Sequence, residues 1–139
     1  MIRILLLFYF TLFQQAEPIK AISYNIRYNN PKDGTNVWEN RRVTVASILK
    51  EENADFVGLQ EVVYPQLNDL IVSLESYEHI GVGRKDGKTK GEYSPIFYKK
   101  EKFKVLKSNT FWLSQTPDSV SKGWDASLER ICTYGLFQN

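Results

Sequence analysis

The stretch D55-FVGLQEVV-63, from Asp55 to Val63, opens on an acid, runs through apolar residues, and sets Gln60 and Glu61 side by side. A short apolar run introduced by an acid reads as a buried strand, here Asp55–Leu59. A carboxylate at its end needs a reason, because an unpaired buried charge is costly. A strand that runs into a turn carries its last residues out to the rim of the sheet. In open α/β sheets that rim is where ligands bind.

Working outward from this strand, the pattern alternates. Ile19–Ile26 (IKAISYNI) reads as an earlier strand and Asn30–Gly34 (NPKDG) as turn chemistry. The stretch Trp38–Glu52 has charged residues spaced among Val45, Ile48 and Leu49, which predicts a helix. Pro65 is suited to a first helical turn, and Leu67, Leu70, Ile71 and Leu74 follow at i, i+3, i+4 and i+7. YEHIGV is a short strand and GRKDGKTKGEY a loop. SPIFYKK, FKVLKS and TFWLS read as three strands of an antiparallel meander. QTPDSVSKGWDAS is a long polar loop and RICTYGLF a last strand. Strand–helix–strand–helix followed by a meander predicts an α/β protein with a mixed sheet.

The first two strands, if parallel neighbours joined by the helix between them, put Asn25 and Glu61 on one rim. An amide oxygen and a carboxylate are hard ligands suited to Mg²⁺ or Ca²⁺, and Mg²⁺ uses few protein carboxylates when it shares a phosphate substrate. Spacing alone leaves two readings open. Either the pair serves a metal, or Glu61 caps the following helix while Asn25 closes a turn.

Composition narrows the class. The 139 residues, 42% apolar and carrying a net charge of +2, suffice for one small domain. The near-neutral balance argues against a dedicated nucleic-acid surface. Between Arg84 and Lys107, nine Lys or Arg face three Asp or Glu. That run fits either a solvated hairpin with lysines guarding a sheet edge or a basic rim near an anionic substrate. The single cysteine, Cys132, permits neither an internal disulfide nor a cysteine zinc site. Residues 1–16 have Arg3, an apolar run from Ile4 to Phe13 and a polar end at Ala16, the layout of a secretory signal peptide. The run is shorter than the roughly 20 residues of a membrane span. A secreted or periplasmic chain with a mature domain over 17–139 is expected. The three tryptophans, Trp38, Trp112 and Trp124, read as core or loop anchors before they read as a carbohydrate platform.

SYNIRY, ADFVGLQEV and GWDASLERICTYGLF resemble the N-terminal half of the endonuclease/exonuclease/phosphatase superfamily, the DNase I-like and exonuclease III-like phosphoesterases, in a secreted bacterial-type branch. GEYSPIFYKKEKF and FWLSQTPD resemble its next strands. The resemblance covers Ile19 to Phe137. It implies the N-terminal half of a four-layer α/β sandwich, a mixed sheet with flanking helices, and Mg²⁺-dependent hydrolysis of phosphate esters, with Mn²⁺ as a substitute ion. It also implies Glu61 as a magnesium ligand, Asn25 beside the metal orienting the phosphate, and Arg130 as a phosphate contact, its guanidinium suited to bidentate binding. Gln60 is expected to make a structural hydrogen bond below the rim, and His79 to be a partly buried strand histidine.

The family's T-H-x-D, G-D-x-N and terminal S-D-H segments are not found in these 139 residues. The chain is therefore expected to be a truncated member, inactive alone, that associates with a missing C-terminal half. An inner sheet face rich in Ile96, Phe97, Val105, Phe111, Ile131 and Leu136 would then lie uncovered. The alternative is a non-catalytic secreted fragment or a binding product. The substrate is a phosphate ester, with nucleic acid permitted and not required.

Overall fold

The computed structural model describes residues 17–139, so the signal-peptide reading of residues 1–16 lies outside it. The elements are β1 (Ala21–Asn25), α1 (Trp38–Glu52), β2 (Phe56–Gln60), α2 (Tyr64–Ser73), β3 (Tyr77–Ile80), β4 (Ile96–Lys99), β5 (Lys104–Trp112) and β6 (Ile131–Gln138), with one 3₁₀ turn at Gly34–Asn36. Four strands form a mixed sheet in the order β1-β2-β4-β3, and β5 pairs with β6 in a separate antiparallel hairpin. The α/β class with a mixed sheet is as the sequence predicts.

β1 and β2 are parallel, with Asn25 opposite Gln60. The crossover between them is α1. It ends at Asn53 in a left-handed cap (φ 46°) whose N–H bonds the Leu49 carbonyl at 3.2 Å. Trp38, Val45, Ala46 and Leu49 are its buried residues, one stripe of a 3.6-residue repeat. Ile48, included in the sequence pattern, instead faces out at 39% exposure. In α2, Leu67, Leu70 and Leu74 are buried as predicted, while Ile71 is exposed. These two helical stripes meet Val57, Leu59 and Phe97 of the sheet in one core. Trp38 Nε1–H donates to Asp69 Oδ2 at 2.7 Å, so the largest core side chain also ties α1 to α2.

The meander is overturned. FKVLKS and TFWLS are one nine-residue strand, β5: Asn109, which looked like a break, pairs in register with Tyr134, and the irregularity of the strand lies elsewhere, between Val105 and Lys107. β4 and β5 also lie in different sheets. The hairpin sits against the sheet face that the helices leave free. Phe137 packs its ring 4.8 Å from Phe56 and 5.0 Å from Tyr98, and Phe103 lies 4.6 Å from Phe56. Gly135 permits this approach, since a Cβ there would come within 2.8 Å of Ile80 Cδ1. The expected uncovered face is correspondingly smaller. Phe97 does not belong to that face: it lies on the other side of the sheet, in the core with α1 and α2; Ile96, Val105, Phe111 and Ile131 are half-buried, and Leu136 stays exposed. Of the tryptophans, Trp38 and Trp112 are core residues and Trp124 is 75% exposed.

Asp55, the acid before β2, is buried and ties three segments together. It accepts the Lys20 N–H at 2.9 Å and the Lys102 ammonium at 3.1 Å, with Lys99 at 3.6 Å. The Lys20 N–H, aided by Lys102 and Lys99, holds its carboxyl below the usual aspartate range despite desolvation. A carboxyl depressed by folding contributes stability above its unfolded pKa of about 3.9 and loses it as pH falls through the lower folded value. Asp55→Asn should therefore cost about 1–3 kcal/mol at neutral pH and flatten the acid limb of the stability–pH curve below about pH 4. Urea unfolding at a series of pH values checks this. An unchanged acid limb would mean that Asp55 is not the residue that titrates.

Candidate functional site

The rim expected from the sequence exists. β1 and β2 end side by side, and each strand is followed by a residue in the left-handed backbone region, Arg27 at φ 58° and Glu61 at φ 60°. For residues with a Cβ this costs roughly 1–2 kcal/mol each, and such outliers concentrate at functional sites. At Glu61 the turn takes the residue out of the alternation of β2, so the carboxylate leaves the sheet instead of entering the core.

Both carboxylate oxygens of Glu61 are held. Asn25 Nδ2–H donates to Oε1 at 2.9 Å, and the Tyr28 N–H donates to Oε2 at 3.1 Å. The Asn25 amide is itself oriented, because its Oδ1 accepts the Arg27 N–H at 2.9 Å. Asn25 thus turns its nitrogen toward Glu61 and grips the carboxylate. The Asn25 bond leads in holding the Glu61 carboxyl below the usual glutamate range, with the Tyr28 N–H, Arg27 and Arg84 adding to it against partial burial. Glu61 is an ionised, fixed anion at neutral pH.

The loop that follows β1 is secured to the loop that follows β2 by Gln66 of α2, which is fully buried. Its Oε1 accepts the Asn29 N–H at 3.0 Å and the Val63 N–H at 3.2 Å, and its Nε2–H donates to the Arg27 carbonyl at 3.0 Å. Arg41 of α1 reaches the same loop, donating to the Ile26 carbonyl at 2.7 Å and the Arg27 carbonyl at 3.2 Å. Gln60, below the rim, donates to Ser23 Oγ at 3.2 Å and to the Gly58 carbonyl at 3.1 Å, the structural role expected of it.

Asn25 and Glu61 open onto a cavity of about 330 Å³ that is also lined by Arg84, Glu92, Tyr93 and Arg130. Arg130, just before β6, is exposed and makes no ion pair among the described residues. The three residues singled out from the sequence therefore line one cavity. Arg84 and Glu92 were not among them. The Lys-rich loop divides: Lys85, Lys88 and Lys90 are solvated, while Arg84 is buried against Glu92. Nothing in a Gly- and Lys-rich run marks one cation as interior. Tyr93 O–H is committed to the Lys88 carbonyl at 2.8 Å. His79 lies elsewhere, half-buried in β3 with its ring 5.4 Å from Phe97, and burial pushes its pKa down.

Among the described residues no group of three or more His, Cys, Asp or Glu side chains is placed to hold a metal ion. A cage built wholly of protein carboxylates is therefore not what this chain offers. One ionised, oriented carboxylate facing an open cavity with guanidinium neighbours does fit Mg²⁺, which keeps waters and shares substrate phosphate oxygens.

No family model matches the chain. Solved structures do. An endonuclease/exonuclease/phosphatase from Bacteroides vulgatus is 49% identical with a TM-score of 0.85, the match covering 87% of this chain and 47% of that one. A mannosyl-6-phosphatase from Bacteroides thetaiotaomicron is 44% identical with a TM-score of 0.84, covering 87% of this chain and 46% of that one. Among curated proteins, an uncharacterized protein of Acanthamoeba polyphaga mimivirus is 30% identical over 73% of this chain and 17% of its own length. The chain spans under half the length of these relatives. Sequence and fold together bear out the resemblance to the endonuclease/exonuclease/phosphatase superfamily read from the motifs.

Replacing Asn25 by Ala should raise the Glu61 titration midpoint toward the ordinary glutamate value of about 4.3, because it deletes the leading bond to the ionised form. Carboxyl-carbon NMR across pH reads this directly. A midpoint unmoved by Asn25→Ala would show that the amide does not govern the carboxylate.

Proposed function

We propose that this chain, which has the fold of endonuclease/exonuclease/phosphatase proteins, carries the metal- and phosphate-binding part of a Mg²⁺-dependent phosphoesterase site. The observation that supports this most is the convergence of Glu61, Asn25 and Arg130 on one cavity, with Glu61 held ionised. The names of the similar proteins point the same way, toward phosphate esters as substrates.

In this reading Glu61 is the protein ligand of the ion. Asn25 is assigned beside the metal as before, and its nitrogen-to-Glu61 orientation makes positioning of that ligand its main role. Bound Mg²⁺ supplies charge neutralisation at a phosphoryl oxygen, and Mn²⁺ can take its place. Arg130, unpaired at the cavity mouth, binds and orients the phosphoryl group through its planar fork of N–H donors. Fixing the ester against these groups before reaction converts binding into alignment.

Among the described residues no imidazole stands at the site to act as general base, and the second carboxylate of the cavity, Glu92, is taken up by Arg84. The only histidine of the 139 residues, His79, is half-buried in β3 against Phe97. General acid–base assistance contributes typically about 10²–10⁴-fold, so we expect this chain by itself to turn over phosphate esters near background. A binding product without turnover is the second reading, favoured by a cavity whose two carboxylates, Glu61 and Glu92, are each already held by hydrogen bonds.

Glu61→Gln should weaken Mg²⁺ binding at least about tenfold, since it removes the one negative ligand while keeping the shape. Calorimetric titration of both proteins measures this, and a nitrophenyl phosphate assay on the same samples measures turnover. Equal Mg²⁺ affinities would reduce Glu61 to a hydrogen-bond acceptor and remove the metal reading. Robust turnover that vanishes in Glu61→Gln would keep the metal and show that the base lies within this chain.

A further inference from the structure

Arg84 is the buried cation of the cavity. Its residue exposure is 6%, and its side chain retains 8%. Three interactions fix it. Its N–H donates to the Glu92 carbonyl at 3.1 Å, its carbonyl accepts Trp112 Nε1–H at 2.7 Å, and its guanidinium pairs with Glu92. The pairing is end-on: one terminal nitrogen donates to Glu92 Oε2 at 3.1 Å and the other to Oε1 at 2.8 Å. A guanidinium has five N–H donors. Glu92 takes two of them, and Nε is the one buried side-chain polar atom among the described residues that has no partner.

A loop clamp accounts for the pairing with Glu92 but not for the unused donor. Buried polar groups are normally satisfied, and an exception calls for an explanation such as a ligand. Arg84 reaches the same cavity as Glu61 and Arg130. The charged side chains lining the cavity are Glu61, Glu92, Arg84 and Arg130, which cancel. A divalent cation on Glu61 would leave two net positive charges, the complement of a phosphate dianion.

We propose that Arg84 is a second phosphate-binding residue of this cavity, presenting the guanidinium edge that Glu92 leaves free to a terminal phosphoryl dianion while Arg130 contacts it from the exposed side. Glu92 then has two opposed effects. It holds the guanidinium in place, and it neutralises part of the charge that the phosphate would meet. The proposal rests on the phosphoesterase reading above and adds a residue and a ligand charge state to it.

The test is calorimetric titration of the 139-residue chain with inorganic phosphate in the presence of Mn²⁺, alongside thermal midpoints. Paramagnetic relaxation reports Mn²⁺ occupancy separately. Arg84→Lys keeps the charge and loses the fork, and should weaken phosphate binding about tenfold or more with Mn²⁺ binding retained. Glu92→Gln frees charge on Arg84, and should leave phosphate binding unchanged or tighter. A pair that only clamps the loop would lower the thermal midpoint in both variants and leave phosphate affinity alike in both, which overturns the proposal. Should Arg84→Lys fail to fold, Arg84→Met combined with Glu92→Leu removes both charges together, and phosphate affinity equal to wild type in that protein overturns it equally. Wild-type protein that binds Mn²⁺ through Glu61 but takes up no phosphate refutes the role of Arg84 and leaves the metal reading intact. Loss of both Mn²⁺ and phosphate binding refutes the two together.

Discussion

One buried amide sets the geometry on which the site depends. Gln66 has no exposure and makes three hydrogen bonds, to Asn29, Val63 and Arg27, all backbone groups of the two loops that leave β1 and β2. An apolar residue of the same size would leave two N–H groups and one carbonyl unpaired, at about 1–3 kcal/mol each. Because Gln66 stands in the first turn of α2, the helix start and the two loops are tied together at one point. Glu61 and Tyr28 are brought within bonding distance by that tie, not by their own affinity.

The same tie explains how a strained backbone persists at the rim. Arg27 and Glu61 are both left-handed, a conformation that neither side chain favours alone. Arg41 holds the first loop through the Ile26 and Arg27 carbonyls, and Asp33 holds the Arg27 guanidinium at 2.6 Å. Glu61 is gripped from two sides. The constraints outnumber the strained torsions, which is the condition under which such conformations survive. The result is a carboxylate that is desolvated enough to be fixed, bonded enough to stay ionised, and open on one side to a cavity.

The parts legible in the sequence were those governed by local periodicity. The strand–helix–strand order of β1, α1 and β2 and the Leu67–Leu70–Leu74 stripe follow from spacing, and the parallel pairing of β1 with β2, which the fold supplies, places Asn25 and Glu61 on one rim. The parts that were not legible depend on long-range choices. Whether FKVLKS and TFWLS are two strands or one turns on Asn109, a turn-prone residue that continues the ladder because Tyr134 of β6 stands opposite it. That β5 leaves the main sheet is decided by Phe137 packing on Phe56 and Tyr98. Arg84 looks like its lysine neighbours until Trp112 and Glu92, distant from it or across the loop, enclose it. Asn25 was legible as a rim residue, but the direction of its amide is set by the Arg27 N–H, which only the folded turn presents.

We propose above that the cavity at the ends of β1 and β2 binds a divalent cation on Glu61 together with a phosphate. Anomalous diffraction from crystals of this chain soaked with Mn²⁺ and phosphate tests it most directly. We expect an anomalous peak about 2 Å from a Glu61 carboxylate oxygen, with phosphate density reaching the Arg84 and Arg130 side of the cavity. A strong Mn²⁺ peak elsewhere with none at Glu61 would contradict it.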